Sequence, residues 1–314
     1  MKVSVKVPAT TANLGPGFDS LGMALPIYNT ITIEETVLPG TGIEINVIND
    51  DSSTDDMLLE HIPMDENSII YKAVELLYNS IGQTPSELKI TVQGQIPIAR
   101  GLGSSASVIV GGLLAANELL GHPADEVALL SIATEVEGHP DNVTPAIVGG
   151  LVLSSQEEDG RIIYSKLDWP EEWNITVCVP DFELSTEISR SVLPKEVPLE
   201  DAVFNAKRMG MFVQAVNTKD AELMRLALQD KLHQPYRMKF VTGLDKIIES
   251  FKHEDDILGC VLSGAGPSVL VISKGNVQEK IKAVVKEIWD GMNIKSNIMT
   301  LPVEKDGARI IQDF

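Results

Sequence analysis

Polar and apolar residues alternate over positions 1–7 (Met-Lys-Val-Ser-Val-Lys-Val), which predicts a strand with its valines on one face. β-branched residues clustered over 29–35 and 42–48 predict two more strands, and the acidic stretch 49–56 reads as a loop. Within 67–81, Ile70, Ala73, Val74 and Leu77 recur at helical spacing, and Gly82 stops the run. Residues 88–95 alternate again as a strand. A glycine-serine turn follows and opens directly into an apolar helical run, 108–120. Val127, Leu130, Ile132 and Ala133 predict a helix over 123–137. Next come a polar knot over 138–142 and a turn into a strand over 149–153. The second half predicts strands over 175–179, 257–262 and 268–272. Its helices are predicted over 199–217, 221–228, 243–251 and 277–289.

Strands interleaved with helices imply an α+β sandwich with helices over one face of a sheet. A length of 314 residues suits one large domain or two ordinary ones. The pattern divides near position 160, into 1–160 and 161–314. With 44% hydrophobic and 22% charged residues, the chain can bury a core of its own. The formal net charge of −20 argues against general nucleic-acid binding, which needs a basic footprint. A nucleotide site survives that argument, because backbone dipoles and single cations act locally inside a negative protein. Cys178 and Cys260, the two cysteines, sit in apolar strand-like runs and read as buried free thiols, which suits a reducing cytoplasm. No run of about eighteen apolar residues exists to predict a membrane span, and the opening strand does not read as a signal peptide.

The candidate chemistry begins at Pro97-Ile98-Ala99-Arg100-Gly101-Leu102-Gly103-Ser104-Ser105-Ala106-Ser107. A turn that feeds a helix presents unpaired N–H groups and the positive end of the helix dipole at one point, which suits a phosphate. Gly101 and Gly103 allow close approach, and Ser104 and Ser105 add hydroxyls. A Gly-Lys-Ser/Thr sequence is missing, so this is not a Walker-type loop. Backbone dipoles, Mg²⁺ and Arg100 are left as the sources of charge neutralisation.

Two further segments, Pro8-Ala9-Thr10-Thr11-Ala12-Asn13-Leu14-Gly15-Pro16-Gly17-Phe18-Asp19 and Leu262-Ser263-Gly264-Ala265-Gly266-Pro267-Ser268, flank that turn in the chain. In this order the three resemble the motifs of the GHMP kinase superfamily, over the whole chain. The first motif lacks the Pro-Gly-Lys of sugar and mevalonate kinases. That form, together with Glu137-Gly138-His139-Pro140-Asp141-Asn142, resembles the homoserine kinase branch. The resemblance implies a two-domain GHMP kinase-like α+β fold. Its N-terminal domain is ribosomal-protein-S5-like and its C-terminal domain a ferredoxin-like α+β sandwich.

It also implies ATP and Mg²⁺ as cofactors and phosphorylation of L-homoserine in threonine biosynthesis, in the cytoplasm. Residues 97–107 would hold ATP with Ser263 and Gly264, and Asn67 and Ser68 would face the base. Ser105 would ligate Mg²⁺ with a glutamate before the polar knot. Glu135 and Glu137 both qualify, and spacing against the family pattern favours Glu135. Asp19 would take the substrate ammonium, and Arg190 and Arg237 its carboxylate by their bidentate forks. Asn13, His139, Asn142 and Thr186 would complete the pocket. Asn142 would orient the reacting hydroxyl, with Asp141 structural and no strong base required. Homodimers are common in the family, and no stripe in the sequence marks an interface. Two rival readings are another GHMP kinase, of mevalonate type, and a non-catalytic sensor on the same fold. The missing Pro-Gly-Lys counts against the first. Against the second count the retained Gly101, Gly103, Ser104, Ser105 and Glu135.

Overall fold

A computed structural model of the chain describes residues 1–35, 43–49, 63–85 and 87–311. Gly42 and positions 50–56 of the expected acidic loop lie outside them. The chain opens with β1 (Lys2–Asn13) and β2 (Gly17–Glu35), paired antiparallel along their whole lengths. This hairpin is far longer than the strands expected over 1–7 and 29–35. Residues 7–13 are all buried, so both faces are covered and the alternation that would reveal a strand vanishes. Next come β3 (Ile43–Asn49), α1 (Ile69–Ser80), β4 (Leu88–Gly94), α2 (Ser104–Leu119) and α3 (Glu126–Glu137). They are followed by α4 (Pro140–Val148), β5 (Leu151–Gln156) and β6 (Ile162–Leu167).

In the first sheet, the far half of β2 pairs antiparallel with β4, which lies parallel to β3. The near half of β2 pairs with β5, and β5 with β6. Ile31, Ile33 and Ile90 share one core with Ile70, Val74 and Leu77 of α1 and Ile109, Val110 and Leu113 of α2. The helical spacing therefore turned the apolar stripe of α1 onto the sheet, as read.

The remaining elements are β7 (Trp173–Pro180), α5 (Thr186–Ser191), α6 (Leu199–Thr218), α7 (Ala221–Ala227), α8 (Gln234–Arg237) and α9 (Leu244–Phe251). β8 (Ile257–Leu262), β9 (Val269–Lys274), α10 (Gln278–Asp290), β10 (Ser296–Leu301) and β11 (Arg309–Ile311) complete the chain. β7 to β10 form a second, antiparallel sheet in the order β10-β7-β9-β8. Val269 and Val271 of β9 join one core with Ile247 of α9 and Trp289 of α10. Leu270 and Ile272, pointing the other way, join another with Phe212 of α6, Met224 of α7, and Met23 and Leu151 of the first sheet. The second sheet is thus covered on both faces, not on one as expected. That is why its strands read as unbroken apolar runs. The sheets also do not divide at residue 160, because β6 belongs to the first sheet and β11 pairs with β1.

Candidate active site

The glycine-serine turn runs from β4 into α2, and its geometry depends on glycine. Gly101 and Gly103 hold φ values of 72° and 68°, in the left-handed region. A Cβ on Gly101 would collide with the Ser263 carbonyl, and one on Gly103 with the Thr10 hydroxyl. Gly103 is the N-cap of α2, and no side chain caps that end. The first turn of α2 therefore presents its N–H groups outward.

Contacts at this point tie all three motifs together. Thr10 N–H donates to the Leu102 carbonyl (3.1 Å), Gly264 N–H to the Ala12 carbonyl (3.0 Å) and Ser268 N–H to the Arg100 carbonyl (3.3 Å). Ser263 Oγ lies 2.6 Å from the Gly101 carbonyl and 2.8 Å from Thr11 Oγ1. Thr10 Oγ1 donates to Asn142 Oδ1 at 2.7 Å, which fixes which way that amide faces.

The turn forms a wall between two cavities. One carries polar and charged side chains and is lined by Asn13, Asp19, His139, Asn142, Thr186, Arg190 and Arg237, together with Glu137, Asp141 and Ala265. The other is largely apolar and takes Ile45, Val47, Ile70, Ile96 and Val108, with Ser68 at the start of α1. Pro97, Ala99, Ser104 and Ser105 border both.

In the polar cavity Arg190 meets Asp19 through both amino groups, at 2.6 and 3.2 Å. Asp19 holds a φ of 56°, and its N–H donates to Asn13 Oδ1 at 3.0 Å. Arg237 is 2% exposed, with Nε on the Ser189 carbonyl (3.2 Å) and Nη1 on the Gly264 carbonyl (3.3 Å). Burial, then the Arg190 charge, push its pKa down to about 10, so it remains a cation at neutral pH. His139 Nδ1 lies 2.5 Å from Asp141 Oδ1. Burial works against charging that imidazole, but the Asp141 hydrogen bond and the Asp141 and Glu137 charges outweigh it and raise its pKa.

The structure brings together most of the predicted site residues, with corrections. Glu135 is exposed and borders neither cavity, whereas Glu137 lines the polar one and accepts from Ser105 Oγ at 2.7 Å. Two positions apart on α3, the two side chains point to nearly opposite sides, so only one can reach Ser105. Burial, partly offset by the Ser105 hydrogen bond, raises the Glu137 pKa. Arg100 lines the cavity, but its guanidinium is tied to the carbonyls of Pro180, Ile98 and Asp181 and so braces the turn. Ala106 and Ser107 face inward: Ala106 joins the first core, and Ser107 Oγ bonds the Ser104 carbonyl (2.7 Å) and Asn29 (2.9 Å). Ile98 borders the apolar cavity only. Asn67 is exposed, bonds Asp65 and lies outside both cavities. Asn13 lines the polar cavity but spends its amide on Gly264 (2.9 Å) and Asp19, so it shapes the site from within the wall. Ser263 is fully buried beneath the turn. Phe18, part of the first motif but given no role there, lies under both arginines, whose guanidinium carbons sit 5.5 Å (Arg190) and 5.2 Å (Arg237) from its ring centre.

Residues 68–150 match the model of the GHMP kinase N-terminal domain, and residues 212–291 that of the C-terminal domain. The chain belongs to the GHMP kinase family. Among this kinase's relatives is the homoserine kinase of Caldicellulosiruptor saccharolyticus, 41% identical, with the match covering 98% of this chain and 96% of that one. The homoserine kinase of Moorella thermoacetica is 40% identical over 98% of this chain and 99% of its own. A crystal structure of homoserine kinase from Cytophaga hutchinsonii superposes with a TM-score of 0.86 at 29% identity, covering 99% of this chain and 97% of that one. The fold class expected from the motifs is thereby shown. None of the described helices is long and apolar enough to cross a membrane.

Proposed function

We propose that this kinase transfers the γ-phosphoryl group of ATP to the side-chain hydroxyl of L-homoserine, releasing O-phospho-L-homoserine and ADP in the course of threonine biosynthesis. The observation that carries this reading is the charge layout of the polar cavity. Asp19 and Arg190 neutralise each other there, and Arg237 is a buried cation beside them. An amino acid brings the same two charges, an ammonium for Asp19 and a carboxylate for the arginines, so it can enter without leaving a buried charge unpaired. The relatives named above are homoserine kinases, which fits an amino-acid alcohol.

The adenine lies in the apolar cavity, with Ser68 at its edge, and the phosphates cross the turn at the head of α2. Phosphoryl transfer needs little covalent help from protein and depends on position and charge. Ser105 Oγ, at the boundary of both cavities, and the Glu137 carboxylate, in the polar one, are hard oxygen donors in contact with each other, a set that fits Mg²⁺. Bound there, Mg²⁺ would neutralise charge on the phosphate oxygens. Asn142, its amide fixed by Thr10, orients the homoserine hydroxyl toward the turn. Asp141 accepts from His139 and from Asn142 Nδ2 (3.2 Å), and so holds both in place as a structural acceptor. Thr186, at the start of α5, closes the rim.

The test is a coupled assay of ADP release with Mg²⁺-ATP and L-homoserine, with mevalonate, L-serine and galactose in parallel. The expected result is turnover with homoserine alone, lost in Arg237→Ala. Turnover with another alcohol and none with homoserine would keep the phosphate site and reject the pocket assignment.

A further inference from the structure

Arg237 is a guanidinium almost wholly shielded from solvent, so something must fix its orientation. α8 is a single helical turn from Gln234 to Arg237 with Pro235 at its second position, and it sets His233, its N-cap, four residues before Arg237. The turn is set by Asp230, whose carboxylate accepts the N–H groups of Leu232, His233 and Gln234 at 3.0, 3.0 and 2.7 Å. His233 is fully buried. Its Nε2 lies 2.8 Å from the Gly15 carbonyl, and its Nδ1 lies 3.3 Å from Arg237 Nη1. A guanidinium can only donate, so Nδ1 must be the bare acceptor nitrogen. The proton is then on Nε2, and Nε2–H donates to Gly15. Asp230 Oδ2, at 3.6 Å from Nε2, is too far for a hydrogen bond and already serves two N–H groups. The imidazole also stacks on Phe18, with ring centres 5.2 Å apart, and Phe18 underlies Arg237 as well.

With Nε on Ser189, and Nη1 shared between His233 and Gly264, only Nη2 of Arg237 makes no hydrogen bond among the described residues. We infer that His233, as the neutral Nε2–H tautomer, is a positioning residue that locks Arg237 so that Nη2 is presented to the substrate's carboxylate. The inference rests on the reading of Arg237 given above. His233 touches no substrate. It clips the first motif, at Gly15, to the arginine of the second half. Removing it leaves the charge of Arg237 in place but lets the guanidinium turn.

The experiment separates the two jobs of the ring. In His233→Gln the amide nitrogen can reach Gly15 from the Nε2 position, but the Nδ1 acceptor is gone. In His233→Asn the amide oxygen replaces Nδ1, and the Gly15 bond is gone. The expected result is a KM for L-homoserine raised about tenfold in His233→Gln. Its kcat and its KM for ATP should stay near those of the native protein, and His233→Asn should recover most of the affinity. Homoserine turnover by the native protein with an equal KM in both variants would overturn the positioning role while leaving the proposed reaction intact. No homoserine turnover by the native protein would instead overturn the proposed reaction. Imidazole ¹⁵N shifts of the native protein give a readout that needs neither turnover nor a folded variant. A bare Nδ1 and a protonated Nε2 on His233 are expected, and the opposite tautomer or a doubly protonated ring would overturn the assignment.

Discussion

The phosphate turn and the substrate pocket share a boundary but are built in different ways. The turn is eleven consecutive residues whose working parts are backbone N–H groups, and side chains matter there mainly by their absence at Gly101 and Gly103. The pocket is made of side chains from the hairpin between β1 and β2, from α4, α5 and α8, and from the turn between β8 and β9. Its charges are partly or wholly buried and hold one another in place, as with Arg190 on Asp19 and His139 on Asp141. A backbone site tolerates no added atoms, and a side-chain site tolerates no misorientation.

The sharpest way to break this contrast is Gly101→Ala. It adds one carbon at a left-handed position facing the Ser263 carbonyl. A loss of kcat/KM on the order of 10²–10³-fold is expected for L-homoserine with Mg²⁺-ATP, with the circular dichroism spectrum retained. Near-native kinetics would mean that the turn does not carry the phosphates. A smaller effect is expected at the metal position. Glu137→Gln should weaken the Mg²⁺ dependence of turnover by at least about tenfold, while Glu135→Gln leaves it unchanged. The reverse order in a Mg²⁺ titration would restore Glu135.

The smallest effect concerns stability. Burial lowers the His233 pKa below the ordinary 6.5, so the unfolded chain takes up a proton there more readily than the folded one. Stability is therefore lost as pH falls through about 6.5 and is fully present above it. A native protein melting about 1–3 °C lower at pH 5.5 than at pH 7, with the slope reduced in His233→Asn, is the expected outcome of thermal scans. An unaltered slope in the variant would assign the acid sensitivity to other groups.

How legible each region was in the sequence follows from the same contrast. The turn is contiguous, so strand, glycines, serines and helix could be read in order, and α2 begins at Ser104, within that turn. The pocket residues are scattered from Asn13 to Ala265, and only the family motifs pointed to them. Where the motif carried a choice, local geometry decided it: the direction of a side chain at the last turn of α3 separates Glu137 from Glu135. Phe18 and His233 act through their neighbours and not through their own chemistry, so nothing in composition marked them. The four-residue spacing from His233 to Arg237 across Pro235 was the one available signal. The long hairpin was under-read for the opposite reason, since burial on both faces erases periodicity.

The pairing of β11 with β1 has a further consequence. Ser4 stands opposite Ile311 and Lys6 opposite Arg309, so the described chain closes on itself almost as a ring. Its order of elements is then not tied to where it starts. A short linker joining the two ends, with a new opening at Gly160 in the turn between β5 and β6, where even an added Cβ would meet nothing within 4 Å, leaves every contact around the phosphate turn as it is.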